Sequence, residues 1–246
     1  MSGLVQARSS PRIAALAVDG GKGCLFRSIV DLEGRPSAEI AVLHMLDHDR
    51  VWSEPTTVAA HAEADIAPIA AAFRDRAVRE FLGAPGIPTT VTLYLPWYCA
   101  LASVEAIAPS MGTLLGRASL SQSRLVAELL VPDPESPPTQ FELLLKRVAW
   151  LRGMGLGIAL RLSERLAIDE PAVLSAQPDW VHVPRVPIGF EETASIRALL
   201  DGVSSQLEAA RVVIGGVDSP EQAALAEALG ASFLSGDAVA PARFLC

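Results

Sequence analysis

The chain has 246 residues, half of them apolar, and a formal net charge of −8. That length and composition suit one large buried core of the closed α/β-barrel kind. With an acidic balance and no basic stripe, nucleic-acid binding by phosphate neutralisation is excluded from the expectations. Three widely spaced cysteines, Cys24, Cys99 and Cys246, cannot make a disulfide framework or a paired-cysteine metal site, which points to a reducing compartment. The apolar run from Ile13 to Val18 is too short to cross a bilayer, and no later stretch reaches about 18 uncharged apolar residues. No membrane anchor and a cytoplasmic location are therefore expected, with residues 1–11 as a loose tail and 12–246 as a single domain.

In chain order, "CLFRSIVDL" (Cys24 to Leu32) reads as a strand, "EGRP" as a turn and "SAEIAVLHM" as a second strand. Four turn residues suit a hairpin and are too few for a crossover, so these two strands are expected to run antiparallel. A helix follows from Thr56 to Leu82, with Gly83 near its end and Pro85 beyond. The β-branched stretch Thr89 to Leu95 is a third strand, and "SVEAIAPSMGTLLGRA" an interrupted helix. "SRLVAELLV" is a fourth strand, after which Thr139 and Glu142 fit a capping box at the head of the next helix. "LGIALRL" and "PDWVHVPR" are strands five and six, "FEETASIRALLDGVSSQLEAA" a helix and "RVVIGGV" strand seven. Ser219 and Pro220 cap and open the last helix, which closes on Gly230, and "ASFLS" is strand eight. After the opening hairpin the order is β-α-β-α, which demands parallel pairing with right-handed crossovers. The expected fold is a TIM-like (β/α)8 barrel whose first strand is antiparallel.

Several local patterns carry chemistry-capable residues. In "HMLDHD", His44, Asp47, His48 and Asp49 could ligate a metal, although a solvated loop after a strand is the simpler reading. "VDGGKG" lacks phosphate-loop spacing and leads into a strand, so it reads as a turn. "GMGLG" lies between a helix and a strand, which suits a helix C-cap and reverses the order a dinucleotide fingerprint needs. Cys99 follows a strand end without an evident base partner and reads as a structural thiol. Tyr94 and the run Pro96 to Tyr98 place aromatics near the mouth of strand three, as a plug, a partner patch or loop packing.

The whole pattern resembles the EAL domain family, bacterial phosphodiesterases that cleave cyclic di-GMP, from about Leu25 to Pro241. "FRSIVDL" is similar to the family's opening "YQPIVDL", "LRGMGLGIAL" to "LRxLGxxIALDDFG", and "PDWVHVPR" to "PDxLKIDR". The most specific likeness is "VVIGGVDSPEQAALAEALGASFLSGDAVAPA", which follows the family's closing strand-helix-strand pattern. Carried over by this resemblance, the opening Gln falls on Arg27; the Glu of the name motif falls on Glu39 and its Leu on Ala41. The Asn ligand falls on Tyr94, the paired acids of the fourth strand on Glu128 and Val131, and the Asp pair on Arg161 and Leu162. The Lys and Asp of the sixth strand fall on His182 and Pro184, the next Glu on Gly215, its following acid on Asp218 and the closing Gln on Ser235.

Family catalysis implies Mg²⁺ or Mn²⁺ held by a ring of oxygen ligands that activates water and clamps the phosphodiester. With Glu39 and Glu128 as the surviving acids of that ring, metal binding and hydrolysis are expected to be lost. Arg161 is expected to pair with Glu128, Glu39 or both, a guanidinium taking the place of cations; a side chain reaching to solvent is the alternative. Arg27, Glu39, Glu128, Arg161, His182 and Asp218 then outline a vestigial ligand site with no catalytic residue. The resemblance implies an inactive signalling and protein-interaction module with an unidentified protein partner, weak or absent cyclic di-GMP binding and a plausible homodimer. A cyclic di-GMP sensor without hydrolysis and an active phosphodiesterase are the alternatives.

Overall fold

The computed structural model describes residues 24–42, 44–47, 50–53, 63–97, 125–163, 170–207 and 210–245. Strand β1 (Leu25–Asp31) turns into β2 (Pro36–Val42) as an antiparallel hairpin. The turn is held by Asp31, whose carboxylate accepts from the Glu33 and Arg35 amides and from Arg35 Nε, while Gly34 takes φ +80°. A register shift between Ile29 and Val30 marks a bulge in this pair. A two-stranded sheet then follows, β3 (His44–Asp47) with β4 (Arg50–Ser53), where the sequence suggested a loop after one long strand.

Helix α1 (Glu63–Gly83) leads to β5 (Thr92–Pro96). Beyond it lie β6 (Leu125–Leu130), α2 (Pro138–Gly153), β7 (Gly157–Arg161), the short α3 (Glu170–Ser175) and β8 (Trp180–Val183). The chain continues through α4 (Gly189–Gln206), β9 (Arg211–Ile214), α5 (Pro220–Ala228) and β10 (Phe233–Leu234), and ends on β11 (Arg243–Phe244). From β2 onward the neighbours β2, β5, β6, β7, β8, β9 and β10 pair in parallel. β10 closes antiparallel onto β1 at Val30↔Leu234, completing an eight-strand barrel with an antiparallel first strand. β11 adds a two-residue antiparallel pairing to β1 at Leu25↔Phe244 and Phe26↔Arg243, an element the sequence did not suggest.

Closure divides the core into two layers. Ile29, Ala38, Ile40, Tyr94, Val126, Ala159, Trp180 and Val213 fill the lumen, with Phe233 packed against them. The alternate residues, including Phe26, Ala41, Leu93, Ala127, Ile158, Leu160, Val181 and Ile214, face the helices. The helices meet them with apolar stripes: Phe73, Ala77, Val78 and Phe81 on α1; Leu144, Val148 and Leu151 on α2; Ile196, Leu199, Leu200 and Val203 on α4. At the lumen's base Trp180 stacks against Tyr94 and Phe233, with the Arg211 guanidinium 4.7 Å from its ring centroid.

The caps divide in outcome. Ser219 accepts from the Gln222 amide with Pro220 at the first helical position, as the sequence suggested. The capping box of Thr139 and Glu142 does not form. Helix α2 starts at Pro138 with Pro137 at the cap and no side-chain cap bond, because the proline pair fixes the backbone one residue early and draws Thr139 into the helix. No helix among the described residues is long and apolar enough to cross a membrane.

Leu160 is fully buried between the barrel and the helices. Leu160→Ala is expected to cost about 2–5 kcal/mol, read as a lower denaturant midpoint at unchanged m-value.

Candidate functional site

The C-terminal ends of the parallel strands form one mouth of the barrel, where barrel enzymes assemble their chemistry. Backbone bonds carry the ladder past the strand ends, from Trp97 N to Glu128 O, Val131 N to Arg161 O, Leu162 N to His182 O and Gly215 N to Val183 O, each 2.8–2.9 Å. The mouth is thus held by the same sheet that builds the lumen.

Period-two alternation decides what faces inward. Glu128 follows Val126, Arg161 follows Ala159 and His182 follows Trp180, so all three point into the lumen. Arg27 precedes Ile29 on β1 and stands opposite the lumen residue Ile40. Glu128 and His182 are buried, and His182 Nδ1 lies 2.5 Å from Glu128 Oε1. Tyr94 is fully buried beside them. Its hydroxyl has no hydrogen-bond partner among the described residues, and burial first, with the Glu128 charge second, holds its pKa well above the ordinary 10.0.

Glu39 takes the other face. Its neighbours Ala38 and Ile40 are lumen residues, so Glu39 points outward with Leu93 and Ala41. There it is 2 % exposed, accepts from Ser28 Oγ at 2.8 Å and from the Arg243 guanidinium of β11 at 2.6 Å, and leaves Oε2 without a partner. Burial pushes the Glu39 carboxyl above its ordinary 4.5, against the opposing pull of Ser28 and Arg243. The expectation that Glu39 belongs to the lumen ring is corrected, because one residue of register moves a side chain across the sheet.

Of the two expected Arg161 pairings, the one with Glu39 is not made, because Glu39 faces the other side of the wall. Glu39 is bound by Ser28 and Arg243, and His182 is one partner of Glu128. Arg161 is 6 % exposed, so its side chain stays in the barrel and does not reach to solvent. Asp218 stands outside the lumen on the rim, exposed, accepting from the Asp237 amide at 3.2 Å. Asp237 in turn lies 3.5 Å from Arg27. The structure therefore brings Arg27, Glu128, Arg161 and His182 to the mouth, leaves Asp218 at its edge and places Glu39 elsewhere.

Gly215 is the inward position just past the end of β9, two residues beyond Val213. A Cβ there would stand 2.8 Å from Pro184 O and 3.0 Å from His182 Nε2. A side chain at 215 and an imidazole at 182 thus compete for one space. Next to it, Gly216 has φ +62°, and a Cβ would meet Arg185 Cα at 3.2 Å. Arg185 grips Glu192 with two nitrogens at 2.7 and 2.8 Å, and Glu192 also accepts from the Ile188 amide at 2.7 Å. This clamp orders the segment from β8 into α4 and lowers the Glu192 carboxyl from 4.5 to about 2, chiefly through the Arg185 hydrogen bonds.

Among the described residues, no three His, Cys, Asp or Glu side chains converge as a metal site. Among the described residues the inward set is one carboxylate, one imidazole and two guanidiniums, which does not fit a pair of divalent cations, whose binding needs several converging oxygen donors. His44 and Asp47 fall on strand β3, while His48, Asp49, Tyr98, Cys99, Cys246, residues 18–23 and the helix expected around 103–118 lie outside the described residues. Trp97 is buried beneath the Arg74 guanidinium, 4.0 Å from its ring centroid, and Tyr94 fills the lumen, so these two aromatics are packing residues. Ser235, also inward and buried, belongs to the same lumen.

No protein-family model and no curated protein matches the chain. Solved structures do. The Bacillus subtilis YkuI protein, with an EAL domain and in complex with substrate c-di-GMP and calcium, superposes with TM-score 0.72 at 13% identity over 93% of this chain and 56% of that one. The Xanthomonas citri FimX EAL domain in complex with c-di-GMP gives TM-score 0.69 at 15% identity, covering 94% of this chain and 91% of that one. Klebsiella pneumoniae BlrP1, a manganese and c-di-GMP complex, gives 0.65 at 19% identity, over 95% of this chain and 58% of that one. The chain has the EAL-domain fold, and it spans little more than half the length of the Bacillus and Klebsiella proteins.

Gly215→Ala is expected to lower the melting temperature by an amount equivalent to about 1–3 kcal/mol, since the new methyl meets a backbone carbonyl. An unchanged Tm would mean that Pro184 yields freely. Glu192 has a depressed folded pKa, so its stabilisation is complete above pH 4.5 and is lost as pH falls from 4.5 toward about 2. Glu192→Gln is expected to flatten the pH dependence of stability across that interval, measured by denaturant titrations at stepped pH.

Proposed function

We propose that this chain is an EAL-fold signalling module that acts through protein contacts and does not hydrolyse cyclic di-GMP. The observation that carries the reading is the mouth itself. Its inward carboxylate Glu128 is bound to His182, the neighbouring inward position is a glycine that His182 crowds, and Arg161 stands one strand away. Two-metal hydrolysis needs an acidic cluster to position ions on either side of the scissile phosphate. A guanidinium in that space opposes it by charge, and the imidazole occupies an oxygen of the inward carboxylate.

The contact role is supported by the rim. Ile188 and Phe190 flank the start of α4 and are 76% and 87% exposed, and adjoining exposed apolar side chains of this size mark interaction surfaces. The Arg185–Glu192 clamp holds that segment in place, which lowers the ordering cost of presenting it to a partner.

A second reading is favoured by Arg27, whose side chain is 36% exposed at the mouth with the buried Arg161 in the same lumen. Cations so placed suit the phosphates of a cyclic dinucleotide bound without cleavage, as in a sensor.

Thermal-shift and turnover assays with cyclic di-GMP, each with and without Mn²⁺, separate these readings. The expected outcome is no hydrolysis and no stabilisation. Stabilisation without hydrolysis, up to about 2.7 kcal/mol at a hundredfold excess over Kd, would select the sensor. Manganese-dependent turnover would overturn both.

A further inference from the structure

We infer that the edge of β1 beside Glu39 is a strand-addition site for an extended, arginine-bearing segment of a partner protein, and that the chain's own β11 occupies it in this structure. The site is separate from the barrel mouth and goes beyond the proposed function by assigning a surface and a partner chemistry. Its tests do not depend on whether cyclic di-GMP is bound or cleaved.

Three observations carry it. The resident strand is minimal: β11 pairs with β1 over Phe244 and Arg243 alone, and both of its residues are exposed. β10 takes the same edge only at Val30 and Asp31, so Arg27 to Ile29 lie between the two pairings as the stretch a longer strand would use. The socket is charged and buried. Glu39 is 2 % exposed on the outer face of β2, with Ser28 donating to it at 2.8 Å. Arg243 sets a guanidinium against that desolvated carboxyl.

The socket is also incompletely filled. Arg243 reaches one oxygen, at 2.6 Å, with its own side chain 49% exposed, and Glu39 Oε2 remains buried and unpartnered. A guanidinium fork fits a carboxylate with two parallel hydrogen bonds. A segment seated deeper along β1 could use both oxygens, satisfy the orphan and replace β11. Lysine would serve less well, since a point charge cannot span both oxygens.

The test uses the full chain with Arg243→Ala and two synthetic peptides, one copying residues 241–245 and one with alanine in place of its arginine. Arg243→Ala is expected to lower Tm by stranding Glu39. The arginine peptide is expected to restore it and to bind about tenfold more tightly than the alanine peptide, the scale of one charged hydrogen bond. In Glu39→Gln/Arg243→Ala the two peptides are expected to bind alike. Equal binding of both peptides to Arg243→Ala, or a preference that persists in the double variant, would overturn the site. Should Arg243→Ala fail to fold, the unmodified chain serves. Excess arginine peptide should then accelerate amide exchange at Phe244 and Leu245 where the alanine peptide does not, and equal exchange with both would overturn it.

Discussion

Closure of the sheet commits every strand side chain in this protein to one of two environments. Because β10 pairs back onto β1, no strand in the ring is left to drift, and each residue faces the lumen or the helix layer by strict alternation. The lumen of Tyr94, Trp180, Val126 and their neighbours is one consequence, and the helix-facing layer of Phe26, Leu93 and Leu160 is the other. Functional side chains are ranked by the same rule. Glu128, Arg161, His182 and Arg27 share a compartment at the mouth, whereas Glu39 is assigned to the far side of the wall.

Within the mouth, space and charge act together. Burying Glu128 demands a partner, and the His182 imidazole supplies one at the cost of the space beside Gly215. The glycine is therefore part of the site, since without a Cβ the backbone of β9 can lie against His182 and Pro184. Residues that look unrelated along the chain, at 128, 182 and 215, form one packing unit because β6, β8 and β9 deliver them to one end of the barrel.

The rim is built differently. The β8–α4 segment is held by an ion pair and an amide-to-carboxylate bond that lie partly in solvent, so its order depends on charge more than on burial. On the opposite wall, β11 contributes few contacts of its own and is tied down chiefly through Arg243 and the buried Glu39. Both peripheral elements rest on a charged pair where the barrel wall rests on apolar packing.

The amino-acid order by itself determined the order of the eight barrel strands, the opening hairpin, the parallel β-α-β run, the Ser219–Pro220 cap and the closing of α5 on Gly230, because these depend on residues within a few positions of one another. It also marked the residue types, Glu128, Arg161 and His182, that meet at the mouth. Only the tertiary structure decided where those residues point. The face of Glu39 follows from the Gly34 turn and the bulge at Ile29 and Val30, and an offset of one residue, invisible in a pattern of short apolar runs, exchanges lumen for exterior. The partners of Glu39 and Glu128 lie 204 and 54 residues away, at Arg243 and His182, and the pairing exists only once the barrel has closed. β11 was hidden for the same reason: a two-residue strand has no periodicity to read, and the edge of β1 alone makes it a strand.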